Sequence, residues 1–444
     1  MSKGENETLR PAFGGKTSGK CRVLGNEENP GEGLLFLGNY LALDRSKGAA
    51  VYLDALKPHA VLICGKRGYG KSYTMGCILE ELALLPPALR EKLAAFVIDT
   101  MGIFWTTTQP NTLEAGKLKS WNLAPAGLDV EVFVPAGRVE AYRKRNIRAN
   151  PFSISIRELS GSQWCRVFGT EEISPLGVLV VRTIETLRKE KEKYSFEDIV
   201  SGVLRDERSD QASKGAAENY FRAVDAWGVF SEEGTPLSEL VSGGKTSVLD
   251  VSTLENENVC AAVVSIMAGR LYAERLEARR AYEKKLMGEK QEGKEFPMVW
   301  LFIDEAHLFV PAGGESLASE VLINRCLRQG RQPGLSLVLA TQRPSGLHTD
   351  VVSQSDLLIC HRLTASDDIL ALEASRPLYM QEGIQAYIKK MGSERGAALI
   401  VDDHSESVHL VRIRPRRSWH GGGDPGAFVP GKEGKQRETA PIEP

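Results

Sequence analysis

The feature that most constrains this 444-residue chain is a short glycine-rich segment that follows an apolar run. Residues 65–72 read G-K-R-G-Y-G-K-S and fit the phosphate-binding pattern G-x-x-x-x-G-K-[ST] at every fixed position. The run Ala60–Cys64 before it is typical of a buried strand. In 71–85 the apolar residues recur at helical spacing until a Pro-Pro pair follows. A strand, a glycine loop and a helix in this order predict a nucleoside triphosphate site.

Each residue type in this loop has a chemical task. The glycines allow backbone N–H groups to curl around phosphate oxygens. Lys71 is expected to reach the β- and γ-phosphates, and the Ser72 hydroxyl is expected to bind Mg²⁺. The predicted nucleotide-binding residues are Gly65, Lys66, Arg67, Gly68, Tyr69, Gly70, Lys71, Ser72 and Tyr73.

Composition indicates the compartment and excludes some classes of protein. A net charge of −2 argues against a protein covered in positive charge, although a local basic groove is enough to bind nucleic acid. No run approaches the roughly 20 apolar residues of a transmembrane helix, and the polar N-terminus lacks the apolar segment of a signal peptide. The seven cysteines are scattered without a C-x-x-C pair, as in a reducing compartment. We therefore expect a cytoplasmic protein.

Apolar runs alternate with helical segments along residues 34–414, which are predicted to form one domain. The predicted strands are Ala60–Cys64, Ala94–Ile98, Val130–Val134, Thr246–Val251, Val299–Ile303, Leu335–Ala340, Leu357–Cys360, Ala397–Val401 and Val408–Ile413. Besides 71–85, the predicted helices are Leu176–Leu187, Phe196–Leu204, Ala216–Trp227 and Val259–Leu286. The pattern predicts an α/β doubly wound, mainly parallel sheet, whose ligands bind beyond the carboxyl ends of the strands.

Three further segments complete this organisation. Residues 156–242 are mostly helical and more charged, and they are predicted to be an α-helical insertion. Residues 1–33 are predicted to be a flexible N-terminal arm, and 415–444 a disordered C-terminal tail, because neither composition supports a core.

An acidic pair indicates which reaction the site supports. The strand Val299–Ile303 ends in Asp304, which can hold Mg²⁺ through water, and Glu305, which can act as general base toward a water molecule. Such a base is typically worth ~10²–10⁴ in rate. A metabolite kinase would bring its acceptor to the position of that water, so the pair favours hydrolysis. A GTPase hypothesis depends on Asp99-Thr-Met-Gly, but no N-K-x-D motif follows.

The letters D-E-A-H at 304–307 invite comparison with two-lobed helicases. The arginine motif Gln329-Gly330-Arg331 is a second point of similarity, and Leu339-Ala-Thr341 a third. In such helicases the arginine motif lies in a second lobe, far after the motif that ends in Ala-Thr. Here it comes first and leaves no room for another lobe. His307 is therefore predicted to begin a helix, with no metal role.

Two later features favour subunits that share sites. Gln342 follows the strand Leu335–Ala340, where an amide can sense the γ-phosphate or position water. Arg331, or Arg328 as its alternative, can reach a neighbouring subunit's nucleotide, and such arginine fingers are worth ~10³–10⁵ in rate. A helix carboxyl end also favours cations in general, so either arginine can simply stabilise the preceding helix. The sequence of a single chain leaves both interpretations open.

Together these blocks resemble the HerA/FtsK family of ring-forming DNA translocases, closer to the HerA branch. The similar segments are I-C-G-K-R-G-Y-G-K-S, F-V-I-D-T-M-G-I-F, L-F-I-D-E-A-H-L-F and R-Q-G-R-Q-P-G-L-S-L-V-L-A-T-Q-R-P-S, continuing through Asp356–Leu363. The resemblance implies a RecA-like (ASCE) P-loop NTPase fold that uses ATP and Mg²⁺. It also implies a homo-hexamer that moves or unwinds double-stranded DNA for a NurA-like nuclease or another effector, as in DNA repair.

The resemblance also implies roles for single residues. The catalytic residues it implies are Glu305, Lys71, Gln342 and Arg331, with Arg328 as the alternative finger, and the metal residues are Ser72 and Asp304. Asp99 matches the acidic residue that opens D-x-x-G-E-[FY], but Ile103 replaces the glutamate. Residues 1–60 are too few for the N-terminal β-barrel that is usual in the HerA branch.

Three questions stay open at the level of the sequence. The cluster Tyr142–Arg148 (Y-R-K-R-N-I-R) is the best candidate for a contact with phosphates or another subunit, and it also fits a solvated loop. A non-translocating, ATP-dependent assembly module of a defence or nuclease complex is one alternative to a motor. A ring that pumps protein or conjugating DNA at a membrane is the other.

Overall fold

The computed structural model describes residues 21–26, 31–41, 47–289, 295–375 and 377–422. Its strands are β1 (Arg22–Leu24), β2 (Leu34–Leu41), β3 (Lys47–Asp54), β4 (Ala60–Cys64), β5 (Leu93–Asp99), β6 (Glu131–Pro135), β7 (Asn150–Phe152), β8 (Ile154–Ser155), β9 (Phe230–Ser231), β10 (Thr246–Asp250), β11 (Met298–Ile303), β12 (Leu335–Thr341), β13 (Leu357–Cys360), β14 (Ala397–Asp402) and β15 (Ser407–Ile413). Its α-helices are α1 (Lys71–Ala83), α2 (Pro87–Arg90), α3 (Ala115–Ser120), α4 (Val139–Lys144), α5 (Gly161–Phe168), α6 (Pro175–Glu190), α7 (Phe196–Arg205), α8 (Gln211–Ala226), α9 (Leu237–Leu240), α10 (Glu257–Leu286), α11 (Thr349–Gln354), α12 (Ser366–Ala374) and α13 (Ile384–Met391).

One sheet of thirteen strands organises the molecule. Its order is β1-β3-β2-β15-β14-β13-β4-β12-β11-β5-β10-β6-β7, and every pair from β13 to β7 is parallel. The chain reverses direction between β13 and β14, and β14, β15, β2 and β3 are joined by antiparallel pairs. The predicted α/β architecture with a mainly parallel sheet is confirmed.

Helices cover both faces of the parallel strands, which explains why these strands read as continuous apolar runs. In β5, Phe96 and Ile98 face the core shared with α10, whereas Ala95 and Val97 face the core shared with α1. Side chains alternate between faces because a strand has a period of two. The sheet therefore holds the carboxyl ends of its central strands in one rigid row.

The segment 156–242 is largely helical, as its composition predicts. Trp164 is fully buried there, stacked on Phe168 and surrounded by the rings of Phe221 and Phe230. The structure begins α8 at Gln211, five residues before the predicted Ala216, because the Asp210 side chain accepts a hydrogen bond from the Ser213 N–H and caps the helix there.

Both ends of the described chain are more ordered than their composition predicts. Arg22–Leu24 pairs in parallel with β3, so the prediction of a flexible arm is wrong for these residues. After β15, residues 414–422, named the C-terminal strap here, cross α1; Arg416 and Ser418 are buried, so the predicted disorder is wrong for 415–422. Residues 1–20, 27–30 and 423–444 lie outside the described residues. Within the ranges that are described, no helix has the length and apolar character needed to cross a membrane.

Candidate nucleotide site

The glycine loop connects β4 to α1 and packs directly on a histidine. Gly70 precedes the helix with φ of 123°, a conformation that side chains with a Cβ rarely adopt. At Gly65 a Cβ would lie 2.6 Å from the Cβ of His361, so only glycine fits. Lys66 and Arg67 are exposed. Tyr69 is half-buried, and the Arg362 guanidinium lies over its ring, with Cζ 5.8 Å from the ring centroid.

His361, immediately after β13, forms the floor of this loop. Its Nδ1 donates to the carbonyl oxygen of Ala397 at 2.9 Å, so its Nε2 accepts from Thr74 Oγ1 at 2.8 Å. Burial lowers the pKa of His361 to about 4 and keeps the ring neutral. No sequence motif identifies this residue; the available signal is its position directly after an apolar strand.

The Mg²⁺ ligands predicted from the sequence lie together. Ser72 Oγ donates to Asp304 Oδ2 at 2.8 Å, from the start of α1 to the end of β11. Asp304 is almost fully buried, and burial raises the pKa of its carboxyl group, whereas the Ser72 hydroxyl and the Glu305 N–H favour ionisation. Burial likewise lowers the pKa of Lys71, although the nearby Glu305 and Asp304 act in the opposite direction and raise it. A hydroxyl and a carboxylate are the hard oxygen donors that Mg²⁺ prefers, so these residues fit the ion.

Glu305 is held in an unusual backbone conformation beside the predicted Mg²⁺ ligands. Its φ is 49°, which is uncommon for a residue with a side chain and typical of functional sites. Gln342 Nε2 donates to Glu305 Oε1 at 3.0 Å, which joins the ends of β11 and β12. Glu305 Oε2 is buried without a hydrogen bond and lies 3.4 Å from Nδ1 of His307. Burial and the neighbouring Asp304 raise the pKa of Glu305.

Asp99 lies in the same row of strand ends, but its carboxylate already accepts hydrogen bonds from the turn that follows it. It is fully buried and accepts hydrogen bonds from the N–H groups of Met101 and Phe104, at 3.1 and 2.7 Å. Burial and its register partner Asp250 raise the pKa of Asp99 to about 7. Its visible task is to fix the turn after β5.

The two candidate finger arginines lie apart from the loop of their own chain. Arg331 precedes β12, at the amino ends of the strands, with Nη1 3.8 Å from Asp356 Oδ2. Arg328 donates to Asn324 Oδ1 at 3.0 Å and also pairs with Asp350. Both side chains are about half exposed. Among the described contacts, neither meets the phosphate loop or Glu305.

The side chain of Tyr73 faces the C-terminal strap. Its hydroxyl donates to Glu114 Oε2 at 2.9 Å and accepts from the Arg416 N–H at 2.7 Å. The ring also packs edge-on against His420, with centroids 5.5 Å apart. Any contact of Tyr73 with a nucleotide therefore falls to its backbone, because the side chain is already engaged.

A buried charge network that no sequence motif indicates ties the strap to α1. Glu80 and Arg414 are both fully buried, with Arg414 Nη1 2.7 Å from Glu80 Oε2. Ser418 donates to Glu80 Oε1 through its N–H at 2.8 Å and its hydroxyl at 2.6 Å. Burial opposes ionisation of Glu80, but Arg414 and Arg416 outweigh it and lower the pKa. The signals were an acidic pair in an apolar helix and an arginine-rich segment after the last strand.

The fold and this geometry define a P-loop ATPase: a glycine loop, a serine–aspartate pair and an amide-bound glutamate at the carboxyl edge of a parallel sheet. Comparison with known families gives the particular group. The family model described as "Helicase HerA, central domain" matches residues 35–271, and the chain belongs to this family. The predicted HerA-type resemblance is confirmed.

Individual relatives agree with this assignment. The DNA double-strand break repair helicase HerA of Pyrococcus furiosus is 30% identical over 190 residues, which cover 39% of this chain and 33% of that protein. The HerA of Sulfolobus acidocaldarius is 23% identical over 397 residues, covering 87% and 71%. The match therefore spans only about a third of the first relative's length.

A solved structure supports the fold. VirB4 of Thermoanaerobacter pseudethanolicus superimposes with a TM-score of 0.53 at 13% identity, covering 87% of this chain and 97% of that one. At this identity the likeness concerns the fold alone, and it confirms the predicted RecA-like P-loop architecture.

Proposed function

We propose that this chain hydrolyses ATP and uses the energy to move along or unwind double-stranded DNA as a homo-hexameric ring. The observation that carries the hydrolytic part is Glu305, whose Oε1 is fixed by Gln342 while its buried Oε2 has no hydrogen bond. A carboxylate that is anchored through one oxygen and has no hydrogen bond to the other can accept the proton of an attacking water. The raised pKa of Glu305 brings its basicity closer to neutral pH.

The remaining residues of the site then have distinct roles. The loop from Gly65 to Gly70 wraps the phosphates with backbone N–H groups, and Lys71 reaches the β- and γ-phosphates. Ser72 and Asp304 would hold Mg²⁺, and the ion would supply positive charge toward the phosphate oxygens. Gln342 connects the strand end of β12 to the base, so a change at the γ-phosphate can reach that strand.

The DNA substrate and the ring rest on family membership and on the two arginines. Relatives of the chain are named DNA double-strand break repair helicases, so we propose a cytoplasmic role in DNA repair beside a NurA-like nuclease or another effector. Arg331, or alternatively Arg328, acts as the finger for the neighbouring subunit. Both are half exposed and lie away from their own chain's loop, which is the placement that a trans role requires.

The decisive experiment combines mass measurement with a DNA-stimulated ATPase assay on the full chain. With ATP and Mg²⁺ we expect a six-fold mass and a turnover rate that rises with both protein concentration and duplex DNA. Displacement of a third strand from a DNA triplex separates a translocase from an assembly module, which displaces nothing. A strict monomer whose hydrolysis ignores DNA would overturn the proposal.

Mixed rings test the shared site directly. Glu305→Gln removes the base but keeps the arginines, and Arg331→Ala does the reverse. If Arg331 acts in trans, mixing the two inactive variants restores part of the activity, because some interfaces then combine an intact base with an intact arginine. The same mixture made with Arg328→Ala identifies which arginine acts. Recovery in neither mixture contradicts a trans finger at these positions.

A further inference from the structure

A basic surface lies on α4 and the loop that follows it. Arg143, Lys144, Arg145 and Arg148 are all exposed. Arg143 pairs with Glu140, which is also exposed, but no carboxylate among the described residues pairs with the other three. Three unpaired cations within five positions make a surface that attracts phosphate groups.

A groove of about 550 Å³ adjoins this surface. Its polar and aromatic lining includes Trp105, Gln109, Asp129, Asn146, Arg148 and Asn150. Glu131 also lines it, but Lys245 Nζ lies 2.9 Å from its Oε2 and offsets its charge. The groove thus offers a flat ring together with amide and carboxylate groups, which recognise the edges of nucleobases.

The charges inside and outside the groove differ. Asp129 is exposed on the groove wall and repels phosphates, whereas Arg148, which also lines the groove, and the exposed Lys144 and Arg145, which are not among its lining residues, attract them. This separation fits a nucleotide whose base enters the groove while its phosphates stay on the basic surface. A base in duplex DNA is stacked on both faces, so the aromatic wall is accessible only to an unstacked base.

The basic surface is anchored to the same row of strand ends as the Mg²⁺ ligands. Tyr142, buried within α4, donates its hydroxyl to Asp250 Oδ2 at 2.6 Å. Asp250 is the register partner of Asp99 in β5, and β5 pairs in turn with β11, which is followed directly by Asp304. Helix α4 is therefore joined to the row of strand ends at the ATP site through buried side chains and adjacent strands.

We propose that this basic groove, defined by Trp105, Asn146 and Arg148 together with the exposed Lys144 and Arg145, binds a single strand of DNA. The phosphates lie on the three cations and one base packs against Trp105. This inference deepens the proposed function, on which it rests, by assigning the strand contact to a surface of the chain. Stacking of a base on an aromatic side chain is sequence-tolerant, so a motor can use it at every step.

The test uses the full chain and a fluorescein-labelled thymidine oligonucleotide, with binding measured by anisotropy at several salt concentrations. The triple variant Lys144→Gln, Arg145→Gln, Arg148→Gln is expected to bind about tenfold or more weakly. Its log–log salt slope is expected to fall by about 2, because three phosphate contacts of a single strand are lost. The matched control removes three exposed charges from α10 (Arg280→Gln, Lys284→Gln, Lys285→Gln) and is expected to stay within about twofold of wild type.

An abasic strand tests the base contact separately. Wild type is expected to prefer the normal oligonucleotide to one with abasic sites; Trp105→Leu removes this preference and Trp105→Phe retains it. Equal binding by the triple variant and wild type overturns the inference, as does a loss confined to duplex DNA. An absent preference for bases overturns the groove assignment. None of these results concerns the DNA-stimulated ATPase of wild type, so the proposed function is judged separately.

Discussion

Helix α1 has charged groups near both of its ends, and the two groups are arranged in opposite ways. At its start, Glu305 leaves a buried oxygen without a hydrogen bond close to Lys71 and Asp304. Farther along, the two oxygens of Glu80 are fully engaged by Arg414, Ser418 and the Arg417 N–H. Buried polar groups are normally satisfied, so we expect a water molecule or a ligand to be the partner of this oxygen, whose nearest ion-pair neighbour is His307 Nδ1 at 3.4 Å.

Their pKa shifts show the same contrast. Both carboxyl groups are removed from water, which by itself disfavours the charged form. The pKa of Glu305 is raised by burial and by the negative Asp304, whereas the guanidinium groups around Glu80 overcome burial and lower its pKa. Under the proposed function the Glu305 carboxylate takes up a proton, whereas the Glu80 carboxylate belongs to a buried ion pair that joins the strap to α1.

The largest expected effect concerns the catalytic rate and comes from substitution of Glu305, the carboxylate whose second oxygen has no hydrogen bond. Glu305→Gln preserves the shape of the side chain but removes the base, and kcat is expected to fall by ~10²–10⁴. This loss corresponds to about 3–5 kcal/mol in the activation barrier. ATP binding, measured by titration with a fluorescent analogue, is expected to persist because the loop is untouched.

Glu315→Gln is the matched control for this prediction. Glu315 belongs to the same connection after β11 but its side chain is 86% exposed, and its nearest cation, Arg166, is 4.0 Å away. Turnover in this variant is expected to stay near that of wild type. Full activity of Glu305→Gln would instead remove Glu305 from its assigned role.

The next largest effect is on the free energy of unfolding and comes from breaking the buried ion pair between Glu80 and Arg414. Arg414→Met leaves Glu80 buried without its main partner, and breaking such a pair typically costs about 3–5 kcal/mol in the free energy of unfolding. Urea denaturation near neutral pH measures the loss. The lowered pKa of Glu80 gives a pH dependence, since its stabilisation is present above the carboxyl range of unfolded chains and lost as the pH falls through the folded pKa. The difference between variant and wild type should therefore shrink in acid.

Arg222→Gln controls for the loss of an arginine ion pair as such. Arg222 pairs with Glu218 at 2.9 Å on the surface of α8, where its side chain is 53% exposed. Exposed pairs contribute about 0–1 kcal/mol, so this variant should unfold close to wild type. Equal midpoints for Arg414→Met and Arg222→Gln would mean that the strap contributes little to stability.

The phosphate-loop side of this comparison could be predicted from the sequence, because its chemistry is encoded locally. Residues 65–72 form a contiguous pattern, and the pair Asp304-Glu305 and the residue Gln342 come at the ends of apolar strands. Parallel strands bring such positions to one edge of the sheet without further information. The hydrogen bond between Ser72 and Asp304 follows from this arrangement.

The strap could not be predicted, because its partners are far apart in the chain. Glu80 and Ser418 are separated by 338 positions, and nothing in the local sequence of either specifies the other. Composition predicted disorder there because arginine, glycine and proline do not form a core by themselves. A buried network of ion pairs and hydrogen bonds around Glu80 supplies the order that apolar residues supply elsewhere. The same reasoning applies to His361, whose role depends on the loop that it meets in space.

The smallest expected effect concerns how closely the strap approaches α1. Gly76 lies in the middle of the helix, and a Cβ there would be 2.3 Å from Cζ of Arg416. Gly76→Ala gains helix propensity, but displacing a guanidinium group held by Ser418 costs more, and overpacking typically destabilises by about 1–3 kcal/mol. Gly215→Ala on α8 makes the same chemical change where no atom lies within 4 Å, and it should stabilise by up to about 1 kcal/mol. Opposite signs in thermal or urea unfolding are thus expected from one substitution type in two helices. If both variants are stabilised, Arg416 can leave its position at little cost. The strap then packs less tightly against α1 than its hydrogen bonds indicate.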